Sequence, residues 1–296
     1  MASLIQSLID GLGRGSVYAL MALGIAVIFG VMHLVNFAHG ELITISAYVA
    51  VWLLVGAELS WWVAAPAIFL TAIVASVAIE FVAFRWVRRA TDFTMLLTSF
   101  GVHFVVVALF VMYAGARVRN FPRPEWIDRI WTVGSVNISM IDVVTVGVTL
   151  VTLAMTVFVL QRTMCGMSLR AAAADFDAAR LMGIRSDQVI RRAFMLAGAL
   201  AGIAAVFWLM RSGQARPTTG LTPLLKGVLA AIIGGLGSMQ GAVLGGFLLG
   251  IAEVLLRSWL PADIVGLTDA AVFGLIALFF IFRPGGLVTV ATAERV

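Results

Sequence analysis

The sequence predicts an all-α polytopic membrane protein of about eight to nine transmembrane helices, one of them a broken unit. Three observations carry that expectation. The 296 residues are 62% hydrophobic and only 12% charged, about half of the roughly 25% charge that soluble domains carry. Mean hydropathy is +1.07. The arginines gather in short segments between apolar runs, as the positive-inside rule describes for cytoplasmic loops. That clustering accounts for the formal charge of +5 without nucleic acid, because no basic face interleaved with aromatic residues is present.

Taken in order, "MASLIQSLIDGLGRGSVYALMALGIAVIFG" lacks a basic leader region and a small-residue cleavage site, so it is expected to be a retained first helix. Runs able to cross a hydrocarbon core of roughly 20 residues lie near 8–31, 41–57, 61–84, 94–114, 140–160, 193–210 and 265–282. The segment 223–257 is too long for one crossing and is broken by "GGLGSMQG". Arg85, Arg88 and Arg89 mark one cytoplasmic loop; Arg162, Arg170, Arg180, Arg185, Arg191 and Arg192 mark a second, two spans later. Arg117, Arg119, Arg123 and Arg129 fall in loop 115–139 against that rule, beside Glu125 and Asp128. The whole chain, 1–296, reads as one transmembrane domain with a cytoplasmic loop at 162–192.

Polar residues interrupt the second apolar region in "FGVMHLVNFAHGELITISAYVA". Backbone freed by a break inside a membrane must be buried in protein or wetted, and Asn36 and His39 are candidates to satisfy it there. A metal site does not fit: His33 and His39 are six apart, Glu41 follows two later, and no HExxH or cysteine partner accompanies them. His103, alone in an apolar run, is expected to be a satisfied interior histidine. Cys165 is the single cysteine, which rules out an intramolecular disulfide. The first region and 221–256 each run apolar, then a glycine-bearing break, then apolar, an internal and inverted repeat of the kind transporters show.

Lys226 is the only lysine and is preceded by Leu225, so no GxxxxGK[ST] phosphate loop exists in the chain. An energy source based on ATP would need a separate subunit docked on a cytoplasmic loop. The loop "CGMSLRAAAADFDAARLMGIRSDQVIRRAF" offers a place. Its alanines favour helix, and Leu169, Ala172, Ala173, Phe176 and Ala179 share a face, with Arg180 beside them. Lys226 and Glu253 sit in the broken unit, where an isolated charge is costly. Lys226 either attracts a substrate carboxylate or pairs with Glu253 or snorkels to a span end.

"VNFAHGE", "AARLMGI", "LLKGVLAAIIGGLGSMQGAVLGGFLLGIAE" and the closing "RPGGL", in that order over Gly11 to Leu287, resemble the membrane permease subunits of branched-chain amino-acid ABC importers. The resemblance implies that Asp177, Ala178, Ala179 and Gly183 match an EAA-xxx-G coupling loop, with Asp in place of Glu. It also implies a multi-pass bacterial inner-membrane permease with no catalytic site or cofactor of its own. ATP and Mg would be held by ABC ATPase subunits; a second permease subunit and a periplasmic binding protein would complete the assembly. Asn36, His39, Glu41 and Lys226 are then expected at a helix break beside the pathway. The chain lacks the Ile-x-Leu-Pro that often follows the loop glycine and the aromatic-glycine pair that often follows the closing motif.

Two other classes bear comparison. An ion-coupled secondary transporter of small solutes would need carboxylates deep in its spans, and only Glu80, Glu253, Asp142 and Asp269 are candidates. An intramembrane enzyme would need a nucleophile–base or metal constellation, and the three histidines supply none at ligand spacing.

Overall fold

The computed structural model describes residues 2–88, 90–261, 263–283 and 285–288. Helix dominates because the bilayer offers backbone groups no water, so each span must bond itself. The chain runs α1 (Ala2–Met32), a single 3-10 turn at Phe37–Gly40, α2 (Glu41–Val51), α3 (Trp61–Ile79), α4 (Arg85–Val87) and α5 (Asp92–Ala114). After β1 (Arg119–Asn120), β2 (Ile130–Val133) and β3 (Val136–Ser139) come α6 (Met140–Arg162), α7 (Met164–Ala174) and α8 (Phe176–Leu181). Next are α9 (Ser186–Ser212), β4 (Gln214–Ala215), α10 (Leu221–Gly234), α11 (Met239–Trp259) and α12 (Thr268–Phe282).

Among the described residues, eight helices are long and apolar enough to cross a membrane, and the shorter α10 is the ninth apolar helix. The broken unit expected at 223–257 is the pair α10 and α11, turned at "GLGS" with Ser238 Oγ accepting from the Gly241 N–H at 3.0 Å. Such a cap satisfies one of the donors that a helix N-terminus leaves free.

The interior belongs to α1. Of its most apolar stretch 89% is buried, against 11% for α5. Packing between membrane helices gains little from the hydrophobic effect and depends on close approach. Accordingly α1 and α11 run antiparallel with Gly15 against Gly250: a Cβ on Gly250 would lie 2.3 Å from Gly15 Cα. α9 packs on α1 and α3, with Ser76 Oγ donating to the Phe194 carbonyl at 2.7 Å. α5 turns Phe93, Phe104, Met112 and Tyr113 outward, and α12 does the same with Ile281 and Phe282. Such exposed apolar faces suit lipid or another membrane-embedded surface.

The two ends of the spans differ in charge. α1 ends, α9 begins and loops 85–91 and 162–185 meet at one end, where Arg88 bonds Asp187. At the other end Gln6 bonds Asn137, and the Phe121 N–H donates to the Gly213 carbonyl at 3.0 Å. β1 pairs there with β4, and β2 with β3, both antiparallel. The arginines of loop 115–139 therefore lie at the end opposite the main arginine cluster, and two of them are engaged locally: Arg123 with Asp128 at 3.4 Å, Arg119 with the Ala114 carbonyl at 2.9 Å. Arg89 lies outside the described residues.

Candidate functional site

The arginine-rich loop folds as two helices where the alanine run suggests one. The break is at Asp175, whose extended backbone (φ −154°, ψ 109°) ends α7 and whose Oδ1 accepts from the Ala178 N–H at 2.9 Å. An aspartate in that position caps a new helix, and that signal was readable in "AAAADFDAA". α8 then closes on Gly183. Its φ of +85° is a left-handed value that glycine adopts without strain. The Gly183 N–H donates to the Arg180 carbonyl at 3.0 Å and the Ile184 N–H to the Ala179 carbonyl at 3.1 Å, the paired bonds of a glycine C-cap.

The apolar stripe expected on this loop faces inward. Leu169, Ala172 and Ala179 are buried, and Ala173 and Phe176 are half-buried, packed on the chain's own spans. What α8 offers outward is Ala178 together with Leu181 and Met182, which are 89% and 84% exposed. Of the four residues matched to the coupling motif, Ala178 and Gly183 are exposed and Ala179 is not. Asp177 lies in α8, but its side chain is outside the described residues.

A salt link joins this loop to a span. Arg88 bonds both Asp187, in the first turn of α9, and Glu80, which is fully buried in a wide five-residue turn at the end of α3. Burial pulls the Arg88 guanidinium below its ordinary value, and the Asp187 carboxylate works against that shift. The Phe84 and Phe194 rings lie 5.5 Å apart beside it. The sequence pointed to Glu80 only as a buried carboxylate. Arg88 is eight residues on, across the wide turn Glu80–Phe84, where α-helical spacing does not apply, so the pairing left no signal in the sequence.

The interrupted region before α2 is sealed within the protein. Asn36 Oδ1 accepts from the Ala38 N–H at 3.0 Å, as expected of a residue repairing freed backbone. His39 does not share that work. It is buried against Gly24, and neither ring nitrogen has a hydrogen-bond partner among the described residues. Glu41 is fully buried and its Oε1 lies 2.6 Å from His103 Nδ1, so the interior histidine is satisfied by a residue 62 positions away. Gly40 abuts Gly220, the residue before α10: a Cβ on Gly220 would lie 1.9 Å from the Gly40 carbonyl oxygen, and its N–H donates to Thr44 Oγ1 at 3.1 Å. The two interrupted regions thus meet at the starts of α2 and α10, and the meeting point in the second is Gly220, not "GGLGSMQG".

Lys226 is buried and pairs with Glu253 at 2.8 Å and Asp269 at 3.1 Å. Arg14 approaches Glu253 at 3.5 Å, and Tyr18 donates to its other oxygen at 2.8 Å. Of the two readings of Lys226, pairing with Glu253 is realised. Asp142 is held by Arg211 at 2.6 Å. All four carboxylates considered for ion coupling therefore have a cationic partner: Glu80, Asp142, Glu253 and Asp269.

Comparison with known proteins agrees with this architecture. Residues 7–282 match the family described as "Branched-chain amino acid transport system / permease component". The chain is 32% identical to the high-affinity branched-chain amino acid transport system permease protein BraD of Pseudomonas aeruginosa, over 99% of this chain and 98% of that one. It is 31% identical to the permease protein LivH of the corresponding system in Salmonella typhimurium, over 99% of this chain and 97% of that one. A shorter stretch, 38% of this chain, is 31% identical to 35% of the autoinducer 2 import system permease protein LsrC of Escherichia coli. With eight apolar spans among the described residues and a match over almost its whole length, the chain is a multi-pass bacterial inner-membrane protein and belongs to the family of branched-chain amino acid transport system permease components.

Proposed function

We propose that this permease is the membrane subunit of an ATP-driven importer that carries branched-chain or related amino acids into the cell. ABC ATPase subunits, holding ATP and Mg, dock on the arginine-rich end, which faces the cytoplasm. A second permease subunit completes the pathway, and a periplasmic binding protein delivers the solute at the opposite end. The observation that carries this reading is α8: a short helix, capped at both ends, that with the residue after it turns Ala178, Leu181 and Met182 outward on the basic end of the molecule. Exposed apolar side chains on a charged, water-facing loop call for a protein partner.

Motion of α8 has two routes into the spans. One is covalent, because α9 follows α8 after four residues and packs on α1 and α3. The other is the Asp187, Arg88 and Glu80 link to the end of α3. ATPases closing on nucleotide would move α8, and α9 and α3 would tilt with it as packed bodies. Of those four carboxylates the three that are buried, Glu80, Asp142 and Glu253, are each paired with a cation, which supports this reading over an ion-coupled carrier, whose site needs an open carboxylate deep in the spans.

Reconstitution with the ATPase subunits and binding protein tests the proposal. Uptake of radiolabelled leucine is expected to require ATP and to proceed without a sodium or proton gradient. Uptake driven by either gradient in vesicles lacking the ATPases would refute it.

A further inference from the structure

At the end opposite α8, a cavity of about 390 Å³ opens where α1, α9, α10 and α11 converge with the segment leading into α12. That is the end at which delivered solute would enter, so a solute site in this cavity rests on the import reading. The wall carries charge of both signs: Arg14, Lys226 and Arg257 against Glu253 and Asp269. Beside them is an apolar patch of Val17, Trp208 and Val265.

These charges are not equally committed. Glu253 is buried and receives Lys226, Arg14 and the Tyr18 hydroxyl, which leaves it little capacity for a further donor. Asp269 is held only by Lys226 among the described residues, and its side chain is 61% exposed. A carboxylate has about four acceptor positions, so Asp269 can take another cation. Arg257 is exposed and makes no ion pair among the described residues. One cavity therefore presents an open anion, an open cation and an apolar surface.

The geometry points to this cavity as a transit site for a zwitterionic amino acid. Arg257 takes the α-carboxylate, Asp269 the α-ammonium, and the patch of Val17, Trp208 and Val265 the apolar side chain. A simple carboxylic acid would satisfy Arg257 and leave Asp269 without a second partner; an amine would do the reverse. Lys226 and Glu253 act as positioning residues, because they fix Asp269 without being open to the ligand themselves. A site on a conduction route must also release its ligand, so weak binding is expected.

Gly266 lines the cavity, and a Cβ there meets nothing within 4 Å. Gly266→Cys in a Cys165→Ser background is therefore a reporter with room for its side chain. The permease, reconstituted with its partner subunits and without nucleotide, is treated with a small methanethiosulfonate reagent, and the rate of modification is measured. Leucine at about 50 mM is expected to slow the reaction at least about threefold, as a site of millimolar affinity would. Leucinamide and 4-methylpentanoate, each lacking one of the two charges, are expected to protect far less. Arg257→Gln and Asp269→Asn, both at exposed side chains, are expected to assemble normally and to abolish protection by leucine. No protection by leucine, equal protection by the two analogues, or full protection in both variants would overturn the site. Uptake in the same preparation separates this result from the import reading: ATP-driven leucine uptake without protection removes the site alone, whereas ATP-independent uptake removes the import reading.

Discussion

The interruption at Asn36–Gly40 and the one at Asp175–Gly183 are built from the same part and end differently. In each, an Asn or Asp side chain accepts a backbone N–H just after a break: Ala38 in the first, Ala178 in the second. The first is then largely buried, with Gly40 pressed on Gly220 and Glu41 bonded to His103. The second is left open, with Leu181 and Met182 almost fully exposed. Capping satisfies backbone wherever a helix stops. What separates a structural break from a docking element is what covers the turn, and neither composition nor capping chemistry reports that.

Variants sharpen this contrast, and the largest effect belongs to the sealed interior. Lys226→Met leaves two carboxylates short of a cation, one of them buried, at a cost of about 3–5 kcal/mol. Little folded protein should accumulate in the membrane, and Glu253→Gln in addition should restore part of it; immunoblots of membrane fractions and thermal unfolding in detergent read both. Gly220→Val comes next. Its Cβ falls 1.9 Å from the Gly40 carbonyl oxygen, so backbone must shift, at about 1–3 kcal/mol of overpacking. Lower thermal stability is the expected result, while a wild-type melting curve would mean that the two interrupted regions are not in contact.

At the open turn the same order of energy should appear in association and not in folding. Ala178→Glu, Gly183→Glu and Leu181→Glu each put bulk or an unpaired charge into a docked surface, worth about 1–3 kcal/mol, or roughly 5- to 150-fold in affinity. These variants should insert and melt normally, yet lose ATPase copurification and transport. Gly183→Glu adds strain confined to the loop, because its φ is +85°, and the spans should still melt as in wild type. Arg185→Gln is the smallest change. Its side chain is exposed and makes no ion pair among the described residues, so stability should move by less than about 0.5 kcal/mol and transport should stay near wild type.

Much of the fold was legible because span length and arginine clustering are local properties. The glycine end of α8 and the pairing of Lys226 with Glu253 were legible for related reasons: one is a chemical requirement of a turn, the other the cost of a lone charge in a membrane. Three features were not. The partners Glu41 and His103 are 62 residues apart, and Arg88 joins Glu80 to Asp187, 99 residues from it. Only the packed fold brings such groups together. The inward turn of Leu169, Ala172 and Ala179 was hidden too, because periodicity defines an apolar face without saying whether the chain itself or another subunit covers it.

The most direct test of α8 as the docking element is a site-directed cross-link. Leu181→Cys in a Cys165→Ser background is exposed to a short bifunctional thiol-to-amine reagent in membranes that contain the whole assembly. A covalent adduct with the ATPase subunit is expected, absent for the same reporter placed at Val143 near the opposite end. Leu181→Cys that is freely modified by a water-soluble thiol reagent and gives no adduct in an ATP-hydrolysing, transporting assembly would contradict the account.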